Sequence, residues 1–501
     1  MEMKQALQKG TKLIVVNPRE ITLCRDANIW LRLHPGTDVA LLMGLMRVIV
    51  DEGLSNSGFI AERTENFTAF RDSLANFSLD KVEKITGVPQ DQIRQAALLF
   101  ATSKPASIFY AMGITQHSHG TDNVMAISNL ALLTGNIGKP GAGVNPLRGQ
   151  NNVQGACDMG CLPSTFPGYQ AVDNLDVLHK FESAWGYPLN REPGLTLSEI
   201  FNAAHSGIIK SIFLLVGENP LLSDPDSGHI REAIAGLDFV VVQDIFLSET
   251  AQLAHVILPA ASFAEKDGTF TNTERRVQRV RKAVPPVGQA KADWEIVCEI
   301  AKKMGKSGFD YTGPSQIWDE AAALTPSYSG ISYARLEGGG LQWPCPTLEH
   351  PGTPILHTKI FTRGKARFMP LAYRPSMELP DQDYPMLLTT ERSLFQYHTG
   401  TMTRRVKGLN VFQGEELVEI NPRDASRLGV TSGNVLRIIS RRGEVTAKAR
   451  VTEASPVGVI SMSFHFSESP TNAVTSTHLD PIAKIPELKV CAVKIEKLPN
   501  P

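Results

Sequence analysis

The stretch Arg148-Gly-Gln-Asn-Asn-Val-Gln-Gly-Ala-Cys-Asp158 holds one arginine, four side-chain amides and two glycines, with no lysine, glutamate or serine among them. Arginine keeps its charge at physiological pH and forks parallel N–H groups onto a carboxylate or phosphate. Amides offer both donors and acceptors to a polar heteroaromatic ring. A solvated loop is the competing reading, but such loops rarely gather amides while avoiding lysine, glutamate and serine. The composition favours a site.

Weaker candidates lie elsewhere. Asn17-Pro-Arg-Glu follows a predicted parallel strand, and ligands of open α/β sheets bind beyond the carboxyl ends of strands. His34-Pro-Gly-Thr-Asp38 precedes a helix that Thr37 or Asp38 can cap; its amino end offers N–H groups to a phosphate, or is simply a capped helix. Ala111-Met-Gly-Ile-Thr-Gln116 also follows a strand, with a glycine that lets backbone approach a ligand. His117 and His119 are spaced for a metal, yet no cysteine or carboxylate cluster accompanies them, and no metal ligand is assigned. Val216-Gly-Glu-Asn-Pro220 and Gln243-Asp-Ile-Phe246 end strands, and Asp244 can accept from a guanine or ribose, or cap a turn. Thr390 to Arg404 gathers polar groups around Gly400, and Thr471-Asn-Ala follows Phe464-His-Phe. G-x-S-x-G, P-loop, HExxH and complete G-x-G-x-x-G patterns are absent.

The elements that must position these residues alternate in type. A short helix ending at Gly10 precedes a strand at 11–17; helices are predicted near 37–52, 88–102 and 121–135, with a strand at 106–112. This is the rhythm of a parallel sheet with crossover helices. Gly135 to Gly168 reads as a long polar loop, uncommon unless it has a task. Strand and helix resume at 211–217, 226–236 and 239–244, a second doubly wound unit. Residues 285–375 read as irregular, with one helix at 293–303. From Tyr384 short strands separated by turns suggest a small barrel. The division is 1–150, 151–265, 266–380 and 381–501, consistent with three or four domains at roughly 150 residues each.

Bulk properties exclude some classes. Among 501 residues, 50 lysines and arginines balance 51 acidic residues, so no global field favours nucleic acid. No run of about 18 apolar residues exists, so no membrane span is expected. Six cysteines, at 24, 157, 161, 298, 345 and 491, are too sparse for a disulfide framework, and Cys157 with Cys161 cannot hold an iron–sulfur cluster alone.

Taken in chain order, these segments resemble one family. Leu132-Leu-Thr-Gly-Asn-Ile-Gly-Lys-Pro-Gly-Ala-Gly-Val-Asn-Pro-Leu-Arg148, continuing through Gln150 to Gly160, is similar to the central signature of formate dehydrogenase catalytic subunits. Met112-Gly-Ile-Thr-Gln-His117, Gly217-Glu-Asn-Pro220, Leu258-Pro to Arg275, His398 to Arg404 and Asn421-Pro-Arg-Asp-Ala425 resemble motifs of the wider bis-molybdopterin oxidoreductases.

The resemblance implies a fold of the dimethyl-sulfoxide-reductase type: two doubly wound α/β units and a C-terminal double-psi β-barrel around two molybdopterin guanine dinucleotides carrying molybdenum or tungsten. It implies dinucleotide contacts from Asn17, Arg19, Asp38, Met112, Gly113 and Gln116, and pterin contact from Gln150. The second dinucleotide would meet Gly217, Asn219 and Asp244. Arg392, His398, Thr399, Thr403, Asn472 and Lys489 would close the barrel over both. Arg148 matches the arginine placed beside the metal, where it would hold formate. The family's four-iron cluster and its cysteine or selenocysteine metal ligand have no counterpart here. We therefore expect an amino-terminal segment or small subunit to supply them, a selenocysteine codon read as a stop being one origin. An iron–sulfur electron-transfer subunit is the expected partner, and the expected compartment is cytoplasmic, or periplasmic if a signal lies in that segment. The alternatives are a nitrate-reductase-like relative and an inactive pterin-binding scaffold.

Overall fold

Apolar residues repeating at helical spacing give the Asp38–Asp51 helix an almost inaccessible side, formed by Val39, Ala40, Met43, Met46 and Ile49. The Leu79–Thr86, Gln90–Thr102 and Gly120–Leu133 helices pack against it. Gly44 permits the closest approach, since a Cβ there would lie 2.9 Å from the Val82 side chain. Beside this helical layer run two pairs of short parallel strands, Ile14–Val16 with Ile29–Leu31 and Ser107–Tyr110 with Gly143–Pro146. The carboxyl ends of the first strand in each pair deliver Asn17 and the Met112 turn.

The computed structural model describes residues 2–215 and 219–499. They form two compact units: 1–146 with 222–228 and 357–501, and 147–221 with 229–356. In the first unit, Phe361, Ala366, Phe368 and Leu371 complete the same apolar core as Leu31 to Leu133. Ala366–Arg367 pairs in parallel with Thr64–Glu65.

The expected barrel is closed and six-stranded. Its order is Met386–Thr390, Val459–Met462, Leu417–Ile420, Glu444–Val451, Val435–Ile439 and Cys491–Lys497, the last pairing back with the first. Two of its neighbours run parallel. Along Glu444–Val451, buried and exposed residues alternate as the pleat demands. Leu388, Val418, Ile420, Leu436, Ile438, Ile460 and Val493 fill the interior.

The second unit holds a three-stranded parallel sheet with Phe239–Asp244 between Ser211–Leu215 and Val256–Pro259. The 285–375 region is less irregular than expected: besides Asp293–Lys303 it contains a Pro314–Leu324 helix. Its proline sits in the first turn, where a missing N–H is harmless. The 135–168 passage is likewise not one loop. It contains the Gly143–Pro146 strand and a short Val153–Asp158 helix that packs on Gly268–Thr271. Asn152 precedes that helix at φ 61° and accepts from the Thr271 backbone N–H at 2.9 Å. All six cysteines are free thiols, and among the described residues no helix is long and apolar enough to cross a membrane.

Candidate functional site

In the first unit, four of the expected contact residues gather around Glu391. The Arg19 guanidinium, carried by the turn after Ile14–Val16, forks onto Glu419 at 2.6 and 2.7 Å and reaches Glu391 at 2.8 Å. Glu391 is pushed up to about 7, chiefly by burial and then by Glu419, against the pull of Arg19. The Lys489 ammonium donates to the Thr390 carbonyl at 2.7 Å. Burial, and then repulsion from Arg392, pulls it down to about 8. Arg392 lies over the Phe464 ring at 4.7 Å.

His398 completes this group, with a left-handed backbone at φ 51°. Its carbonyl accepts from Nδ1 of His465, whose Nε2 accepts from the Ser393 N–H at 3.0 Å, which fixes His465 as the neutral Nδ1–H tautomer. Burial, then Arg392 and His465, lower His398 to about 3, so it is neutral at physiological pH. Thr399 and Thr403 are set by local bonds, Thr399 to the Thr401 hydroxyl at 3.0 Å and Thr403 to the Gln396 Oε1 at 2.7 Å. Asn472 lies apart, buried, with its Nδ2 donating to the carbonyls of Leu222 and Ser223 at 2.7 and 3.0 Å.

A second group in the same unit centres on His117. Its Nε2 donates to the Gly113 carbonyl at 2.9 Å and lies 3.9 Å from Asp38, while Nδ1 is 3.7 Å from Glu487. Asp38, the first helical residue rather than a cap, is raised by burial and lowered by His117. His119 stacks on His117 at 5.4 Å, with both ring nitrogens buried and unpartnered, and burial holds it down to about 4. Met112 opens a single helical turn, its sulfur accepting from Thr115 at 3.2 Å, and Gln116 closes it. A Cβ on Gly113 would meet nothing within 4 Å, so the chain is open there. Among the described residues no His, Cys, Asp and Glu group is arranged to hold a metal.

In the second unit, Arg148 is exposed and its Nε donates to Gln154 Oε1 at 2.9 Å. Gln150 is half-buried at the start of the same loop. Asn219 comes after the Ser211–Leu215 strand of the parallel sheet, and Asp244 is the last residue of the Phe239–Asp244 strand. Asn219 donates to Glu249 at 2.6 Å and accepts from the Thr250 N–H at 3.2 Å. Asp244 accepts from the Ile245 N–H at 2.7 Å and the Ser248 hydroxyl at 3.0 Å, so the turn-capping reading is realised. Gly217 lies outside the described residues.

Two family models cover this arrangement: Molybdopterin oxidoreductase matches residues 1–303, and Molydopterin dinucleotide binding domain matches 386–492. The F420-dependent formate dehydrogenase subunit alpha of Methanocaldococcus jannaschii is 50% identical over 497 residues, 99% of this chain and 73% of that protein. The chain belongs to the molybdopterin oxidoreductase family. Formate dehydrogenase H of Escherichia coli is 39% identical over 98% of this chain and 70% of its own length. Acetylene hydratase from Pelobacter acetylenicus shares the fold, with TM-score 0.78 and 21% identity, over 99% of this chain and 75% of that structure.

The residues present fit the cofactor that a molybdopterin oxidoreductase carries. The buried Lys489 ammonium, bonded to the Thr390 carbonyl, and the neighbouring Arg392 guanidinium bring positive charge of the kind a phosphate-bearing ligand requires. The open Gly113 turn and the unpartnered, buried His119 supply a close backbone approach and idle polar atoms beside it. Sequence reasoning gave no role to Glu391, Glu419, His465 or Asp158, although His465 and Asp158 lie in stretches it singled out. Glu391 stood inside the polar Thr390–Arg404 stretch, but Glu419 lies in a strand interior where nothing local marks it.

Proposed function

We infer that this chain is the pterin-binding body of a molybdenum or tungsten formate dehydrogenase. Formate is oxidised to carbon dioxide, with one proton and two electrons released. The observation that carries the reading is Arg148, held on the amide-rich loop of a chain half identical to a formate dehydrogenase subunit. The cofactor, when bound, supplies the two-electron acceptor next to the substrate.

The chain's own part is binding and electrostatics. Formate offers only its carboxylate as a handle, and Arg148 can fork onto both oxygens. A fixed positive charge orients the C–H bond and then balances the charge redistributed as that bond breaks. Gln150, two residues on, is proposed to touch the pterin.

The finer assignments belong to the same proposal. Asn17, Arg19, Asp38, Met112, Gly113 and Gln116 are proposed to serve one guanine dinucleotide, and Gly217, Asn219 and Asp244 the other, with Arg392, His398, Thr399, Thr403, Asn472 and Lys489 from the barrel. We propose that the functional modules follow the chain as 1–150, 151–265, 266–380 and 381–501. A four-iron cluster on a segment outside this chain, and an iron–sulfur partner subunit, would carry the electrons away. F420, named for the Methanocaldococcus relative, is the first acceptor to try.

The test is formate turnover by the assembled holoenzyme carrying Arg148→Lys. Removing one charged, preorganised donor set should lower kcat/KM by about 10²–10³-fold. Unchanged turnover would remove Arg148 from the site.

A further inference from the structure

The side chains behind Arg148 form a chain of contacts within the second unit. Gln154, 7% exposed, takes the Arg148 Nε–H on its Oε1 at 2.9 Å. Its Nε2 donates to Asp158 Oδ1 at 2.7 Å. Asp158 is 1% exposed, and it also accepts from the Tyr169 hydroxyl at 2.8 Å and from Trp343 Nε1 at 2.7 Å.

The polarity of this chain is forced. A guanidinium only donates, so the Gln154 amide must turn its oxygen towards the arginine and its NH2 towards Asp158. Were Asp158 absent, the amide could rotate and set donor against donor. Asp158 is itself pinned from two sides. The Trp343 indole donates nothing else, and its carbonyl accepts from Arg275. Tyr169 reaches the carboxylate from a left-handed backbone, φ 60°, a strain tolerated where the surroundings fix it.

We propose that Gln154 and Asp158 are positioning residues that aim the Arg148 guanidinium at the substrate carboxylate without neutralising it. The proposal rests on the reading of Arg148 as the formate-holding residue. A carboxylate placed directly against Arg148 would orient it equally well but would occupy the charge that formate needs. Interposing a neutral amide transmits the orientation and leaves the fork available: among the described residues the two terminal nitrogens of Arg148 have no protein partner.

The experiment is a double-mutant cycle on formate turnover by the holoenzyme, with Gln154→Met in the native and in the Arg148→Lys background. Lysine has no Nε–H for Gln154 to hold. Gln154→Met should therefore lower kcat/KM by roughly 10- to 100-fold in the native background, and by no more than about 2-fold in the Arg148→Lys background. Gln154→Glu places a competing carboxylate on the arginine and should raise KM for formate more than it lowers kcat. Equal losses in both backgrounds, or no loss in the native one, overturn the positioning role while leaving Arg148 in place. A silent Arg148→Lys overturns the underlying reading and this one with it. Should Gln154→Met fail to give folded enzyme, Tyr169→Phe tests the same chain further back. A few-fold loss confined to the native background supports it, and no loss, or the same loss in the Arg148→Lys background, rejects it.

Discussion

Glu391 and His119 titrate in opposite senses, and each leaves a distinct mark on stability. Glu391 holds its proton up to about 7 against an ordinary 4.5, chiefly because it is buried and then because Glu419 lies beside it, which outweighs the pull of Arg19. The folded chain then binds that proton more tightly than the unfolded one, so stability falls as pH rises from about 4.5 through about 7. Glu391→Gln should flatten that part of a melting-temperature profile; an unaltered slope would mean the carboxyl does not titrate there. His119, lowered from 6.5 to about 4, contributes the reverse: stability is intact above 6.5 and lost as pH falls towards 4. Thermal melts of His119→Met should lose less on acidification across that range, and the variant should be at least as stable at pH 7, since two unpartnered buried nitrogens are gone. Residue types alone made Arg148 and the amide loop legible. The anchoring of Asp158, the last residue of that stretch, was not, because its partner Trp343 is 185 positions away and no local pattern joins them.

At the scale of elements, the barrel and the glycine turns make separable demands. Ile460 is fully buried among barrel residues from other strands, so Ile460→Ala should cost about 2–5 kcal/mol, read by denaturant unfolding. Gly138 sits at φ 75°, and a Cβ there would be 2.2 Å from the His357 carbonyl oxygen. Gly138→Ala should therefore destabilise through both strain and collision, whereas Gly429→Ala, at a similar φ of 63° with open space, incurs strain alone. A smaller loss at Gly138 than at Gly429 would contradict the geometry. Long amphipathic helices were readable to within a residue or two, as at Asp38–Asp51 and Gln90–Thr102. The Pro314–Leu324 helix was not, since its flanking prolines and glycines resemble linker composition, and the proline that usually ends a helix here begins one.

At the scale of the whole molecule, each compact unit is assembled from separated stretches. Hydrophobic patterning shows which residues are buried but not which distant segment they are buried against, and so the sequence did not show that Phe368 belongs with Phe70. Those two rings stack at 4.8 Å. A chain ending at residue 356 would lack Phe361, Ala366, Phe368 and Leu371; losing Phe368 alone is a change of about 3–5 kcal/mol, against a typical total of about 5–15. Limited proteolysis should find that fragment cut rapidly within residues 31–133, and co-expressing 357–501 should restore protection. If the shorter fragment resists protease unaided, the shared core is dispensable. The shared core also has a consequence in time. At about 5–20 residues per second, roughly ten to fifty seconds of synthesis separate the emergence of the helical layer, Phe70 included, from that of Phe368, which seals it. During that interval the nascent half is unsealed, and its exposed apolar face must be guarded by chaperones until then.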